Sequence, residues 1–217
     1  MVKHKVAIVI PAFNEAATIF RVVKSVQKYG QVIIVNDASK DKTKKIAESS
    51  GAIVINNNSN MGYDGALNVG FAKAKDLNFD SIISFDADGQ HSSNALERYI
   101  FELQNGVDLV LGIRSKPARI SERLFMFYSR YKFDWYDPLC GLKGYSMKLY
   151  KRHGCFDSTN SIGTELAAYG LTHKFSSIQI HIEISERIDQ PRFASTFKSN
   201  FKITKALFNL IKIGKDL

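Results

Sequence analysis

From Ile82 to His91 the chain reads Ile-Ile-Ser-Phe-Asp-Ala-Asp-Gly-Gln-His. An apolar, strand-forming run, Ile82 to Phe85, breaks abruptly into Asp86 and Asp88, so two carboxylates fall at the exposed C-terminal end of a buried strand. α/β sheets bind their ligands at that end. With only Ala87 between them the carboxylates can share one hard divalent cation, and Gln90 can add a neutral oxygen. A polar turn after a strand has the same composition, and Asp-x-Asp is too short to exclude it unaided. What flanks the stretch favours the metal site.

Upstream, short apolar runs alternate with helical periodicity. Strands are expected at 6–10, 32–35 and 52–55, and helices at 14–27, 42–50 (ended by Gly51) and 66–74. Downstream, 94–103 reads as a helix and 109–111 as a strand, ahead of a basic, aromatic segment over 114–135. Repeated β-α-β units predict an α/β chain with a mostly parallel, doubly wound sheet flanked by helices. One domain over 1–196 is expected, with 197–217 a basic amphipathic helix that is either part of it or a membrane-surface anchor. Its helical wheel gathers Phe197, Phe201, Leu207, Phe208, Leu210 and Ile211 on one side and Lys198, Lys202, Lys205 and Lys212 on the other.

Composition narrows the partners. The 217 residues are 45% hydrophobic, enough for a substantial core, and carry a formal charge of +9. Such a balance suits nucleotide phosphates, an anionic phospholipid surface or nucleic acid. Nucleic acid is the poorest fit, because Asp37, Asp86 and Asp88 would converge on one crevice and repel bare phosphates. Cys140 and Cys155 have neither zinc-site nor disulfide spacing, which suits a reducing compartment. No run has the length of a secretory h-region or a membrane span. The expected location is therefore the cytoplasm, with peripheral attachment to the inner face of the cell membrane as the alternative.

The loops after the other strands carry similar groups. Pro11-Ala12-Phe13-Asn14-Glu15 follows the first strand, with Pro11 fixing the exit, Asn14 able to cap the next helix and Glu15 facing the crevice. Asn36-Asp37-Ala38-Ser39-Lys40-Asp41 follows the second. There Asp37 can accept from a base or ribose or simply close the turn, and Asp41 can cap the second helix. After the third, Met61-Gly62-Tyr63-Asp64-Gly65-Ala66-Leu67-Asn68-Val69-Gly70 lets a helix begin close to a ligand or to the sheet. This is neither a dinucleotide-binding nor a phosphate-binding glycine loop. A crevice of carboxylates and amides needs a bridging metal to hold a diphosphate, and Asp86 and Asp88 can supply its ligands.

Taken in order, these segments resemble the family 2 glycosyltransferases, and most closely the polyprenyl-phosphate (dolichyl-phosphate mannose synthase-like) branch. The resemblance rests on Pro11-Ala12-Phe13-Asn14-Glu15, Val35-Asn36-Asp37-Ala38-Ser39 with Asp41, Asn60-x-Gly62-x-x-Gly65-Ala66-x-Asn68-x-Gly70 and Asp86-Ala87-Asp88-Gly89-Gln90-His91, roughly the first half of the chain. It implies a GT-A fold, a single Rossmann-like domain, and inverting transfer of a sugar from a nucleotide-sugar donor. Roles come with it. Pro11, Ala12, Asn14, Glu15 and Asp37 would hold the nucleoside, and Asp86 and Ala87 would approach ribose or metal. Asp86, Asp88 and Gln90 would hold Mg2+ or Mn2+, which stabilises the leaving diphosphate. A nucleotidyltransferase uses similar carboxylates but with a Gly-rich, basic first loop that this chain lacks.

The second half matches less closely. Gly112-Ile113-Arg114 resembles that branch's Gly-Ser-Arg, and Asp137-Pro138-Leu139-Cys140-Gly141-Leu142-Lys143 its Asp-x-x-x-Gly-Phe-Arg, with Ile113 in place of Ser and Lys143 in place of Arg. If the acceptor is a polyprenyl phosphate, the nucleophile is already an anion, and Arg114, Arg119 and Arg123 would position it. If it is a glycan acceptor with a free hydroxyl, a general base is required, and Asp137 is the candidate. Glu165 falls where the family often has an acidic residue before a helix, or simply complements the helix dipole. The phosphate acceptor is the expectation, because the chain is short and basic and Asp-Ala-Asp-Gly-Gln-His is closest to that branch.

Overall fold

In the first strand, β1 (Val6–Ala12), Ile8 and Ile10 belong to one apolar layer and Ala7 and Val9 to another, and all four are fully buried. A strand buried on both faces reads as a continuous apolar run, and such strands lie in sheets covered by helices on both sides. The computed structural model, which describes residues 4–114, 120–184 and 196–216, has that arrangement. β1 pairs in parallel with β2 (Gln31–Asn36) and β4 (Ser81–Ser84), setting Ile10 beside Ile34 and Val9 beside Ser84. With β3 (Ile53–Asn56), β5 (Leu109–Arg114), β6 (Lys143–Ser146) and β7 (Ser177–Ile182), the sheet runs β3-β2-β1-β4-β6-β5-β7. Among the described residues only β6 is antiparallel to its neighbours.

One face of the sheet is covered by α1 (Ile19–Val26) and α4 (Ala95–Gln104) through Val22, Val26, Leu96 and Tyr99, with Ala47 of α2 (Thr43–Glu48) in the same layer. The other face is covered by α3 (Gly62–Asp76), α6 (Met147–His153) and α7 (Glu165–Thr172) through Leu67, Phe71, Leu149 and Leu166. A third apolar cluster joins α7 to α5 (Ile120–Phe133) and α8 (Thr196–Asp216), where Ala168 meets Phe125, Ile203, Ala206 and Leu210. The expected α/β class, with a mostly parallel sheet flanked by helices, is therefore present.

Local differences from the sequence pattern have local causes. The helix expected over 14–27 starts only at Ile19, because Asn14 adopts φ 54 and the Glu15 carbonyl takes the N–H groups of Thr18 and Ile19 in a turn. The sequence of β6, Lys-Gly-Tyr-Ser, has no apolar run, and its place comes from pairing with β4 and β5. On α8 the buried stripe is Ile203, Ala206 and Leu210. Leu207 and Leu210 pack as periodicity assigned them, but Phe201 and Phe208, assigned to the same side, are exposed, because Ile203, Ala206 and Leu210 are the residues that meet Phe125 and Ala168. The side chains of Phe197 and Lys198 lie outside the described residues.

Helix α3 seats on the sheet at Gly70. A Cβ there would stand 2.3 Å from Val9 Cγ1 and 3.1 Å from Val35 Cγ2. We expect Gly70→Ala to lower stability by about 1–3 kcal/mol, the usual cost of overpacking a close-packed core. Urea denaturation measures it, and an unchanged midpoint would mean that α3 does not bear on Val9 as closely as described.

Candidate active site

Strand β4 delivers Asp86 to the C-terminal edge of the sheet. His91 Nε2 lies 3.0 Å from Asp86 Oδ2, and the Tyr63 hydroxyl is 3.5 Å from Oδ1. Behind the carboxylate is Gly141, where a Cβ would stand only 2.1 Å from Asp86 Oδ2. Ser84 Oγ donates to the Gly141 carbonyl at 2.7 Å, so the segment carrying Asp86 and the segment carrying Gly141 are fixed together. Burial pushes the Asp86 carboxyl up. The hydrogen bond and charge of His91, with the charges of Arg114 and Lys143, outweigh that effect and hold it below the usual carboxylate range.

Two residues on, half-buried Asp88 accepts the Gln90 N–H at 3.0 Å, in a turn that Gly89 makes with φ 74. Ala87 between them is buried. Asp86, Asp88 and Gln90 thus follow one another off the same strand end, and Asp86 is ionised near neutral pH. This donor set fits a hard, oxygen-seeking ion such as Mg2+ or Mn2+.

The loops after β1 and β2 interlock. Asn14 Oδ1 accepts the Lys40 N–H at 2.8 Å, and the Asn14 N–H donates to Ser39 Oγ at 2.9 Å. Asn14 therefore braces the two loops and does not cap α1, whose N-cap is Thr18. The buried Glu15 takes a hydrogen bond from Thr18 Oγ1 at 2.9 Å, and its N–H donates to Thr43 Oγ1. Pro11 is half-buried and Ala12 buried at the end of β1. Asp41 accepts the Thr43 N–H at 2.9 Å in an i to i+2 turn, but the N-cap of α2 is Lys42, without a side-chain cap bond, so Asp41 stands one residue ahead of the capping position expected of it.

Asp37 has more partners than its sequence suggests. Its carboxylate accepts from Asn57 Nδ2 at 2.9 Å and from the N–H groups of Met61 and Gly62, each at 2.8 Å. These two N–H groups open α3 and have no acceptor inside the helix. A carboxylate from the loop after β2 thus holds the start of a helix more than 20 residues later in the chain, which favours negative charge at that end.

Arg114 and Asp137, given separate roles by the sequence, are one unit. Arg114 Nε and a terminal guanidinium nitrogen donate to the two Asp137 oxygens at 2.7 and 2.8 Å, and the Arg114 N–H adds a third bond at 3.0 Å. Glu122 lies 3.7 Å from the same guanidinium. Burial alone would push Arg114 down, but its bond and charge interaction with Asp137 push it up further. An aspartate held bidentate in this way is poorly placed to accept a proton from an acceptor hydroxyl, and Arg114 is occupied rather than open to a phosphate. Arg123 is exposed on α5, and Arg119 lies outside the described residues.

Three neighbours stand inside the quoted segments but were given no site role from sequence. Lys143 is buried, with Nζ donating to the Gly163 carbonyl at 2.8 Å and lying 5.3 Å from the Trp135 ring centre. Burial lowers its pKa, and Cys140, Asp137, Asp64 and Asp86 oppose that shift. Asp64 accepts the Ile162 N–H at 3.1 Å through one oxygen, while the other is buried without a partner. Burial, then the charge of Asp157, pushes Asp64 up to about 7. His91 is the third. Their signal in sequence was only a charged or polar position within a motif, and the fold is what turns them inward. Glu165, at the first turn of α7, is paired with His153 at 3.0 Å and takes N–H donors from Ser158 and Thr159. Against the upward push of burial, these bonds hold it at about 2.

Comparison with known proteins agrees with this architecture. The pattern of Glycosyl transferase family 2 matches residues 7–162. The UDP-N-acetylglucosamine–dolichyl-phosphate N-acetylglucosaminyltransferase of Methanococcus voltae is 33% identical over 139 residues, covering 55% of this chain and 55% of that protein. The undecaprenyl-phosphate mannosyltransferase of Micrococcus luteus is 31% identical over 123 residues, covering 52% and 50%. The matched region is thus about half the length of each of these relatives. Among solved structures, the glucosyl-3-phosphoglycerate synthase of Mycobacterium tuberculosis, crystallised with Mn2+, UDP and glucosyl-3-phosphoglycerate, superposes with a TM-score of 0.75 at 18% identity, covering 97% of this chain and 80% of that one. At that identity the likeness shows the fold, which is GT-A-like.

Two measurements bear on the site. Removing Asp137 leaves the partly buried Arg114 without its bidentate partner, and Glu122, 3.7 Å away, replaces none of its hydrogen bonds, so Asp137→Ala should cost about 3–5 kcal/mol in urea denaturation. A loss below about 1 kcal/mol would show the pair to be loosely made. For Asp64 the folded pKa is raised from 3.8 to about 7, so its contribution to stability is fully present below 3.8 and is lost as pH rises through about 7. Relative to Asp64→Asn, the wild type should lose stability across that window. A pH-independent difference would contradict the burial of the carboxyl.

Proposed function

The chain belongs to glycosyl transferase family 2, and from that membership we propose that it transfers a sugar, with inversion, from a nucleotide-diphosphate sugar to a polyprenyl phosphate. An oxygen of the acceptor phosphate attacks the anomeric carbon as the bond to the nucleoside diphosphate breaks, and the electron pair leaves with the diphosphate. Support for the donor half comes from ionised Asp86 at the strand end and half-buried Asp88 in the turn that follows it; with Gln90 they would hold Mg2+ or Mn2+. Such an ion, when bound, neutralises the diphosphate as negative charge develops on it. Pro11, Ala12, Asn14 and Glu15 would line the nucleoside side. Asp37 would act there through the loop it shapes, since its carboxylate already holds the start of α3.

For the acceptor, one observation carries the reading: Asp137, the candidate base, is engaged on both oxygens by Arg114. A sugar hydroxyl needs a base at that point, whereas a phosphate monoester is already anionic near neutral pH. The relatives that act on dolichyl and undecaprenyl phosphates support the same acceptor class. Arg123, exposed on α5, is available to an acceptor phosphate. Arg114 would instead fix the loop around Asp137.

A lipid acceptor calls for a membrane face. Among the described residues no helix is long and apolar enough to cross a membrane. Leu124, Phe127 and Tyr131 are exposed at i, i+3, i+7 spacing on α5, and Phe201 and Phe208 are exposed on α8, beside Arg130, Lys132, Lys205 and Lys212. Exposed aromatics among basic residues suit shallow insertion into an anionic interface, the inner face of the cell membrane being our reading of the location.

The test is product analysis with a nucleotide-sugar panel, a short-chain polyprenyl phosphate and either Mg2+ or Mn2+. Wild type should release nucleoside diphosphate and form the glycosyl polyprenyl phosphate. Asp88→Asn should lose turnover by at least about a hundredfold, about 2.7 kcal/mol of transition-state stabilisation, with its circular dichroism unchanged. Release of pyrophosphate, or full activity in Asp88→Asn, would overturn the proposal.

A further inference from the structure

Helix α6 ends at His153, and Gly154, with φ 99, reverses the chain so that Cys155 returns beside it. Glu165, the first residue of α7, meets both. His153 Nε2 is 3.0 Å and Cys155 Sγ 3.7 Å from the same oxygen, Glu165 Oε1, and the three atoms lie within 4.8 Å of one another. Zinc bonds of about 2.1 Å to nitrogen and oxygen and about 2.3 Å to sulfur, at tetrahedral angles, set N and O about 3.4 Å apart and S and O about 3.6 Å apart. The side chains therefore already stand close to ligand separations.

The surroundings suit a ligand set as well. Ser158 N–H and Thr159 N–H donate to Glu165 Oε2 at 2.6 and 3.0 Å, and Ser158 Oγ donates to Oε1 at 2.8 Å. Donors of this kind orient a metal-binding carboxylate. The Tyr169 ring, 4.5 Å from the His153 ring and tilted by 35°, fixes the imidazole. A sequence search for two-cysteine spacing passes over the group, because it uses one cysteine with a histidine two residues earlier and a glutamate ten residues later.

We infer that His153, Cys155 and Glu165 form a second metal site, separate from Asp86 and Asp88, for a borderline-soft ion of the Zn2+ class with its fourth position open to water. Thiolate and imidazole select such an ion over Mg2+, which prefers oxygen. Binding forms the S–metal, N–metal and O–metal bonds and releases to solvent the thiol proton and any proton on His153 Nε2. The ion would clip α6 to α7. Through Glu165 it would also steady Ser158 and Thr159, in the loop whose Asp157 and Gly163 backbones contact Asn68 and Lys143.

The experiment uses the full chain, stripped with chelator, kept reduced and titrated with Co2+. One equivalent should give a thiolate-to-cobalt charge-transfer band in the near ultraviolet with the visible bands of a four-coordinate ion, and Zn2+ should displace both. Oxygen ligands at Asp86 and Asp88 cannot give the charge-transfer band, so the two sites are read separately, whatever the transferase assay shows. Cys155→Ser should abolish the band, Cys140→Ser should keep it, and His153→Gln should weaken Co2+ binding at least tenfold with unchanged circular dichroism. A folded wild type lacking the band, or a band that survives in Cys155→Ser, would overturn the inference.

Discussion

The Asp86 carboxylate fits where it does because residue 141 has no side chain. Any Cβ there would occupy the space of Asp86 Oδ2, and the two segments are tied by Ser84. That contact joins the βαβ half of the chain to the half that carries Asp137, Arg114 and Lys143. It also brings the positive charges of Arg114 and Lys143 near Asp86, so that with His91 they keep it ionised despite burial. An ionised carboxylate is what a metal-bridged diphosphate requires.

Around that contact the crevice is built by loops bracing one another rather than by isolated caps. Asn14 reaches across to the loop after β2, and Asp37 reaches from that loop to the start of α3. Each brace satisfies backbone N–H groups that the turns leave open, while leaving the strand ends in register. The basic residues are distributed by the same logic. Lys143 is buried with its Nζ on the Gly163 carbonyl and Arg114 is paired with Asp137, whereas Arg123 and Arg130 of α5 and Lys205 and Lys212 of α8 are exposed, which is why the proposed anionic acceptor and surface are assigned to them.

The first half of the fold was legible because its strands are buried on both faces and its helices are periodic, so pattern and burial coincide. Asp86, Asp88 and Gln90 could be placed together for the same reason, since their spacing and strand-end position are local. The reach of Asp37, the role of Asn14 and the Arg114–Asp137 pair were not legible, because each depends on a partner from another loop. Short strand β6 was hidden by its polar sequence. On α8, periodicity announced an amphipathic helix, but only the packing of Ile203, Ala206 and Leu210 on α5 and α7 decides which flank is buried.

The most direct test of the account is the affinity of Gly141→Ala for a nucleoside diphosphate in the presence of Mn2+, measured by calorimetry beside the wild type. Displacement of Asp86 by the added methyl should weaken metal-dependent binding at least tenfold while the far-ultraviolet circular dichroism is retained. Equal affinity in the two proteins would show that the close fit of Asp86 against Gly141 does not govern the donor site.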